Sequence, residues 1–545
     1  MTHRTITLPQ LLEQTVSKSP GAAALIYFGT NISYGQLRDH VNRLAAGLRA
    51  LGVRKGDRVA LMMPNCPQFV ISFFGALRAG AVVTATNSMY TAREVTHQWN
   101  DAGPKVVIAD RRLFPVIRSA LPQLNSAPQI VLTGMRQYYP RRFAQLCLSL
   151  DSSRGIEPSG PLALASRPPA QTAGLGVHDW EELLRLAVTL PPHEVTPADI
   201  ACLQYTGGTT GTSKGAMLTH ANLTTNAYLA TDWLTLGQHG AEVMVAALPF
   251  FHIYALTCVM ISSVMGGGRV IILPRFELRA VLNVIRKYHP TIFHGVPTMY
   301  VAFNHVPHLE RYGFSSLRVC MSGGAPLPVE VREQFEALTG RKLVEGYGLT
   351  ETSPVTHINP PTGSPKAGSI GLPIAETEAR IVDLDTGERE LAVGEIGELI
   401  IRGPQVMKGY WNKPEETAHV LHDGWLHTGD IARKDADGYF YIVDRMKDII
   451  IAGGYNIYPR EVEEVLWEFP KVQEAAVIGV PDSYRGETVK AFVVLQPRTS
   501  ATADEIIAFC RHRLAAFKVP RVVVFRDSLP KSGVGKYLRR ELRNL

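Results

Sequence analysis

Apolar and polar positions along the first part of the chain follow two alternating periods. Leu37, Val41, Leu44, Leu48 and Leu51 recur at helical spacing, with Ser33 placed to cap their start and Gly52 to close their end. Arg58–Met63 is a strand-length apolar run; Phe69, Phe73 and Leu77 then return to the helical period, and Val82–Ala85 and Val106–Ala109 supply two further strand candidates. Helix and strand taking turns in this way predict an α/β domain with a largely parallel sheet. From Val243 to Gly268 there is no Asp, Glu, Lys or Arg, which meets the length criterion of about 20 residues for a membrane span. Pro249, His252, Thr257, Ser262, Ser263 and three closing glycines interrupt that run, so it reads as a buried strand followed by a buried helix.

The rhythm breaks over residues 136–175. Arg136, Arg141 and Arg142 flank Tyr138, Tyr139 and Phe143, and a Pro/Ala/Ser/Gly-rich stretch from Pro158 to Gly176 follows. A surface loop with a linker is one reading and a basic-aromatic patch for a membrane surface is the other. A second shift falls near Asp444, after which a short αβ pattern runs to a basic terminus.

Composition narrows the class. A chain of 545 residues, 46% hydrophobic and 19% charged, excludes intrinsic disorder and leaves room for two or three domains. The net charge of +7 is concentrated: from Arg511 to Leu545 ten Lys/Arg face only Asp527 and Glu541, a local +8, so the rest of the chain is nearly neutral. Such a tail points to an anionic partner, with nucleic acid, membrane and phosphorylated substrates all open on charge alone. The six cysteines form no CxxC pair and read as reduced core residues of a cytoplasmic protein. Glu13 and Pro9 interrupt what a secretory leader would need, and the final Arg-Asn-Leu is not a peroxisomal address.

The strongest chemical signal is Tyr-Thr-Gly-Gly-Thr-Thr-Gly-Thr-Ser-Lys-Gly at 205–215, after the strand-like Ile200–Gln204 and before a helical pattern that resumes past His220. Glycines let backbone N–H groups converge on phosphate oxygens, hydroxyls add donors, and Lys214 adds charge. It is not a Walker A loop, because Ser213 rather than Gly precedes the lysine.

This run resembles the signature of adenylate-forming enzymes, and the resemblance continues in order through 248–255 (LPFFHIYA), 322–327 (SGGAPL), 345–352 (EGYGLTET), 425–430 (WLHTGD), 444–448 (DRMKD) and 530–536 (PKSGVGK). Bacterial long-chain fatty acid–CoA ligases are the nearest likeness. It implies a large N-terminal body of stacked α/β sheets with a β-barrel-like part, residues 1–443, a hinge at 444–447 that includes Lys447, and a small mobile α+β lid, residues 448–545. It also implies ATP binding by Thr206, Gly207, Gly208, Thr209, Thr210, Lys214, Gly324, Ala325, Gly346, Tyr347, Gly348, Thr350, Asp430, Arg445, Asn456 and Lys536. Within that set, Tyr347 would stack on adenine, Thr350 would meet the α-phosphate, and Asp430 and Arg445 would hold the ribose. Thr206 and Glu351 would bind Mg²⁺, which favours hard oxygen ligands.

Lys536 is the expected catalytic lysine, bridging the acyl oxygen and the α-phosphate, and Glu351, Thr206 and His252 are the other expected catalytic residues. Gly453, Gly454 and Tyr455 would meet the pantetheine arm of coenzyme A after the lid turns, and the basic tail would supply partners for the CoA phosphates. His252 stands where peptide-synthetase domains carry an aspartate for the substrate ammonium, which disfavours amino acids; Ile451 stands where luciferases carry a lysine. Phe250, Phe251, Tyr254, Val296, Met299, Tyr300 and Phe303 are candidates for an acyl tunnel, with plain core as the alternative for each.

The expected activity is ATP-dependent formation of a fatty acyl-adenylate and then a fatty acyl-CoA. An aryl-acid ligase of the coumarate type is an alternative, and a non-catalytic nucleotide- or membrane-binding protein is a third that the intact Lys536, Glu351 and Thr206 disfavour. Nucleic acid is not an expected partner. Peripheral contact at the inner face of a membrane is compatible with the pattern, as is either a monomer or a homodimer.

Overall fold

The computed structural model describes residues 6–140, 176–185, 195–206, 213–234, 239–362, 365–452, 455–482, 485–532, 537–543 and 545. The expected alternation is present. Ser33 caps the helix Tyr34–Ala50 through a reciprocal box with Gln36, and Leu37, Val41, Leu44 and Leu48 form its buried face. Arg58–Met62, Val82–Thr86 and Pro104–Asp110 are adjacent parallel strands of a seven-stranded sheet, with the helix Pro67–Arg78 between the first two in sequence. That sheet ends in the antiparallel pair Ile200–Tyr205 and Gly215–Thr219.

A second, nine-stranded sheet has a parallel centre that includes Val243–Ala246, Ile292–Gly295, Val319–Ser322 and Leu343–Gly348. One apolar core spans both sheets, and the Phe69 and Phe250 rings meet across it with centroids 5.6 Å apart. Buried Asn65 is a polar tie at the same seam: its amide donates to the Leu248 carbonyl at 2.8 Å and its oxygen accepts from the Phe250 N–H at 2.7 Å. The tie is satisfied on both sides, as a buried amide must be.

The charge-free run Val243–Gly268 forms a strand, a short helix Ile253–Ala255, a π-helical stretch Leu256–Ile261 and the helix Ser262–Gly266. None of the described helices is long and apolar enough to cross a membrane. The part expected to be barrel-like is a five-stranded antiparallel sheet that includes Glu378–Val382, Ile396–Arg402, Trp425–Lys434 and Phe440–Arg445. From Ile450 onward a further five-stranded sheet and the helices Pro459–Trp467 and Ala503–Arg511 close over a core of their own. Cys147 lies outside the described residues, and the other five cysteines are free and buried.

Gly371 sits at the junction of the nine-stranded and antiparallel sheets. Its φ is +98°, and a Cβ there would lie 2.1 Å from the Ile358 carbonyl carbon. Gly371→Ala is therefore expected to cost about 2–4 kcal/mol in chemical denaturation. Gly368→Ala, at φ +71° with open space around it, is expected to cost about 1 kcal/mol.

Candidate active site

The large sheets, the antiparallel sheet and the lid border one cavity of about 1230 Å³. It opens beyond the carboxyl ends of the parallel strands, where ligands bind in α/β folds. Thr206 and Lys214 enter it from the ends of the hairpin, Gly324 and Ala325 from the turn after Val319–Ser322, and Gly346, Tyr347 and Gly348 from the end of Leu343–Gly348. Thr350 and Glu351 follow on a tight turn, and Asp430, Arg445 and Lys447 arrive from the antiparallel sheet and its exit. Gly348 admits no side chain, since a Cβ would lie 1.9 Å from the Pro354 carbonyl oxygen.

Asp430 is aimed by its neighbours. Gly429 turns at φ +69°, Glu398 accepts its N–H at 2.9 Å, and the Thr428 hydroxyl donates to the Leu399 carbonyl at 2.6 Å. The carboxylate accepts the Tyr347 hydroxyl at 2.6 Å on one oxygen and lies 3.2 Å from the Arg445 guanidinium on the other. Burial, followed by the Asp430 charge, pushes the Tyr347 hydroxyl well above its usual pKa, so it stays a donor. Asp430 raises the Arg445 pKa in turn, and burial with Arg445 nearby lowers that of Lys447.

Tyr410 links two of the expected residues and was not foreseen. Its hydroxyl donates to Glu351 at 2.8 Å, and its ring lies 5.1 Å beneath the Lys214 ammonium, which also pairs with Glu416. The Glu351 carbonyl accepts the Met407 N–H at 2.7 Å, which ties this turn to the segment carrying Tyr410. The one available signal was the aromatic-glycine run Gly409-Tyr410-Trp411, which carries no chemistry at its own spacing.

The other end of the cavity corrects the acyl-tunnel reading. Phe251 and Tyr254 line it, whereas Phe250, Val296, Met299, Tyr300 and Phe303 are buried away from it. The helix Pro297–Asn304 has two faces. Tyr300 and Phe303 join an aromatic cluster with Phe293, Phe314 and Phe335, and the opposite face offers Pro297, Thr298, Val301 and Asn304 to the cavity. Bulky aromatics had drawn attention to the wrong stripe. Ala230, Leu234 and Cys258 complete the wall, along with His294, whose ring nitrogen lies 3.3 Å from the Tyr254 hydroxyl and whose pKa burial lowers to about 4. The Cys258 and Ser262 positions come from the π-helical stretch and its end, a local geometry common at functional sites.

Several expectations are placed differently. The helix His220–Trp233 begins only after the strand Gly215–Thr219, so in chain order the glycine-rich segment is followed by an antiparallel strand and not directly by the helix. His252 lines the cavity, and its ring accepts the Tyr254 N–H at 3.3 Å. Asn456 is exposed and is not brought to the nucleotide residues. Gly207, Gly208, Thr209, Thr210, Gly453, Gly454, Lys536 and the Tyr455 side chain lie outside the described residues. Ser532 and Tyr537, which bracket the segment of Lys536, both line the cavity. Half of the ten tail cations are paired within the C-terminal domain: Arg513, Lys518, Lys531, Arg539 and Arg543 meet Glu468, Glu461, Glu474, Glu463 and Asp448. These five side chains are already engaged by carboxylates of this chain.

The model of the AMP-binding enzyme family matches residues 12–411, and that of the AMP-binding enzyme C-terminal domain matches 461–536. The chain belongs to the AMP-binding enzyme family. A long-chain-fatty-acid–CoA ligase of Bacillus subtilis is 47% identical over 98% of this chain and 94% of its own. A feruloyl-CoA synthase of Amycolatopsis is 39% identical over 96% of each. Among solved structures, ATP-bound MatB from Rhodopseudomonas palustris superposes with a TM-score of 0.85 at 30% identity, covering 99% of both chains.

For an AMP-binding enzyme the oxygen donors present suit Mg²⁺: Thr206 and Glu351 line the same cavity, and one Glu351 oxygen is held by Tyr410. Among the described residues no group of three or more His, Cys, Asp or Glu is clustered for a metal, so such an ion would draw its remaining ligands from phosphate and water.

Tyr410→Phe should lower the rate of pyrophosphate release about tenfold, the cost of one charge-assisted hydrogen bond, with thermal unfolding near wild type. Val301→Phe should shift acid preference toward shorter or smaller substrates at little cost in stability. Phe303→Ala should cost about 3–5 kcal/mol in unfolding and leave that preference in place.

Proposed function

We propose that the chain is an AMP-forming acid–thiol ligase that activates a medium- or long-chain fatty acid with ATP and transfers the acyl group to coenzyme A. The observation that carries this reading is the single cavity with Tyr347, Glu351, Asp430 and Arg445 at one end and the largely apolar branch past Tyr254 at the other. The naming of relatives as long-chain-fatty-acid–CoA ligases supports the acid class.

In the first step a carboxylate oxygen of the acid attacks the α-phosphorus of ATP, and the bond to the bridging oxygen of pyrophosphate breaks. Asp430 accepts hydrogen bonds from the ribose in exchange for its present partners, and Tyr347 keeps the adenine face. Thr350 and Lys214 stabilise charge on the phosphates. Mg²⁺ held by Thr206 and Glu351 would neutralise part of that charge, and Lys536 bridges the acyl oxygen and the α-phosphate as negative charge builds there. In the second step the thiol sulfur of coenzyme A attacks the acyl carbon and loses its proton, and AMP leaves. We assign residues 1–443 to the body, 444–447 to the hinge and 448–545 to the lid, which turns between the steps so that Gly453, Gly454 and Tyr455 meet the pantetheine arm. The enzyme is placed in the cytoplasm, with membrane contact at most peripheral.

The test measures pyrophosphate release and CoA-thiol consumption with short-, medium- and long-chain fatty acids and with cinnamates. Turnover is expected with medium- and long-chain fatty acids. Turnover with cinnamates alone would overturn the fatty-acid assignment, and no pyrophosphate with any acid would overturn the ligase itself. Glu351→Gln should lower pyrophosphate release by about 10²-fold or more.

A further inference from the structure

Where the antiparallel sheet hands over to the lid, five buried or half-buried charged side chains, Asp444, Asp448, Arg460, Glu463 and Arg539, form one cluster on the wall of the same cavity, and the nucleotide and acyl roles given above assign none of them. Asp444, the first hinge residue, pairs with Ile431 in the ladder of the strand Phe440–Arg445, so its backbone is held in the antiparallel sheet. Its carboxylate reaches into the lid. One oxygen accepts the Arg460 N–H at 2.8 Å, and the other accepts the Arg445 N–H at 2.7 Å and lies 3.5 Å from the Arg539 guanidinium. Arg460 also donates to the Ile442 carbonyl at 3.0 Å. Arg539 is then anchored on the lid side: one of its nitrogens donates to both Glu463 oxygens at 2.8 Å, and the other lies 3.3 Å from Asp448. Glu463 is itself fixed by the Val477 N–H at 2.8 Å. Asp444, Asp448, Arg460 and Glu463 are all less than a tenth exposed.

If the chain turns about 444–447, the Glu463, Val477 and Asp448 contacts of this cluster travel with Arg539. The contacts of Arg539 and Arg460 with Asp444 and Ile442 cross the turning point and must break. A buried carboxylate stripped of its cation is unfavourable, so this orientation is held until other partners or water replace Arg539. Arg539 also stands three positions after Lys536, at the start of the short helix Arg539–Arg543. Anchoring its guanidinium therefore anchors one end of the segment that carries Lys536.

We propose that Arg539 is a positioning residue for the first half-reaction: bound to Glu463 and Asp448 within the lid, it grips Asp444 across the hinge and latches the lid with Ser532 and Tyr537, the described residues on either side of Lys536, against the cavity. This rests on the two-step ligase reading above.

The decisive variant is Asp444→Asn, which keeps one acceptor oxygen for the two backbone N–H groups, leaves the Glu463–Arg539 pair intact and removes the charge across the hinge. Single-turnover pyrophosphate release from ATP and fatty acid is expected to fall about tenfold, while thioester formation from supplied acyl-AMP and coenzyme A stays within about twofold of wild type. Arg539→Gln should show the same split, and Arg539→Lys should recover part of the first rate. Tryptic cleavage at Arg445 or Lys447, identified by mass spectrometry, should be several-fold faster in Asp444→Asn at an unchanged melting temperature. Equal loss in both half-reactions, or an unaltered first rate with unaltered hinge cleavage, would overturn the latch. A wild-type enzyme that releases no pyrophosphate would instead overturn the ligase reading, and faster hinge cleavage in Asp444→Asn would still support the latch.

Discussion

The carboxylate of Asp430 is the point on which the arrangement of this molecule turns. It receives a hydroxyl from the end of the nine-stranded sheet, Tyr347, and a guanidinium from the exit of the antiparallel sheet, Arg445, and it is itself presented by a left-handed glycine pinned to Glu398. Two sheets and the approach to the lid are thereby registered against one buried anion. The protein's own donors occupy both oxygens, so the carboxylate is oriented without being left unsatisfied. Under the function proposed above, a ribose placed there would exchange hydrogen bonds instead of creating them, and the binding free energy would then depend on stacking and phosphate contacts elsewhere in the cavity.

The same economy holds at Glu351. Tyr410 donates to it while lying under Lys214, so a carboxylate and an ammonium that both line the cavity share one aromatic support. Neither could be displaced without disturbing the other. The acyl branch is built on the opposite plan. Its wall comes from the smaller, less aromatic side of the helix Pro297–Asn304, while the aromatic side packs the core that keeps the helix still.

Much of this was legible from the residues. The early helices and strands follow the two apolar periods closely because each element buries one face, and the caps at Ser33 and Gly52 stand where spacing put them. Thr206, Lys214, Gly324, Ala325, Gly346 to Gly348, Thr350, Glu351, Asp430, Arg445 and Lys447 converge as the ordered motifs implied. Three things were not legible, each for a physical reason. A five-residue strand, Gly215–Thr219, hid between a loop signature and a helix because its apolar run is too short to show a period. Helical periodicity identifies an apolar helix but cannot say which of two apolar faces meets a cavity. Tyr410 joins Glu351 from 59 positions away, a pairing that only tertiary structure makes.

The ion pairs of the final residues bear on how the molecule comes into being. The carboxylates that the tail neutralises, Asp448, Glu461, Glu463, Glu468 and Glu474, all precede it in the chain, and Asp448 and Glu463 are buried. Leu542, fully enclosed, seals the same face as part of a small apolar cluster with Phe492 and Leu529. During synthesis the body can therefore fold while the ribosome is still at work, but the lid cannot bury its acidic groups until the last segment emerges to meet them. Without residues 511–543 the acidic groups of the C-terminal domain would have no such partners, and the cavity would lose the wall that Ser532, Tyr537 and Arg539 supply.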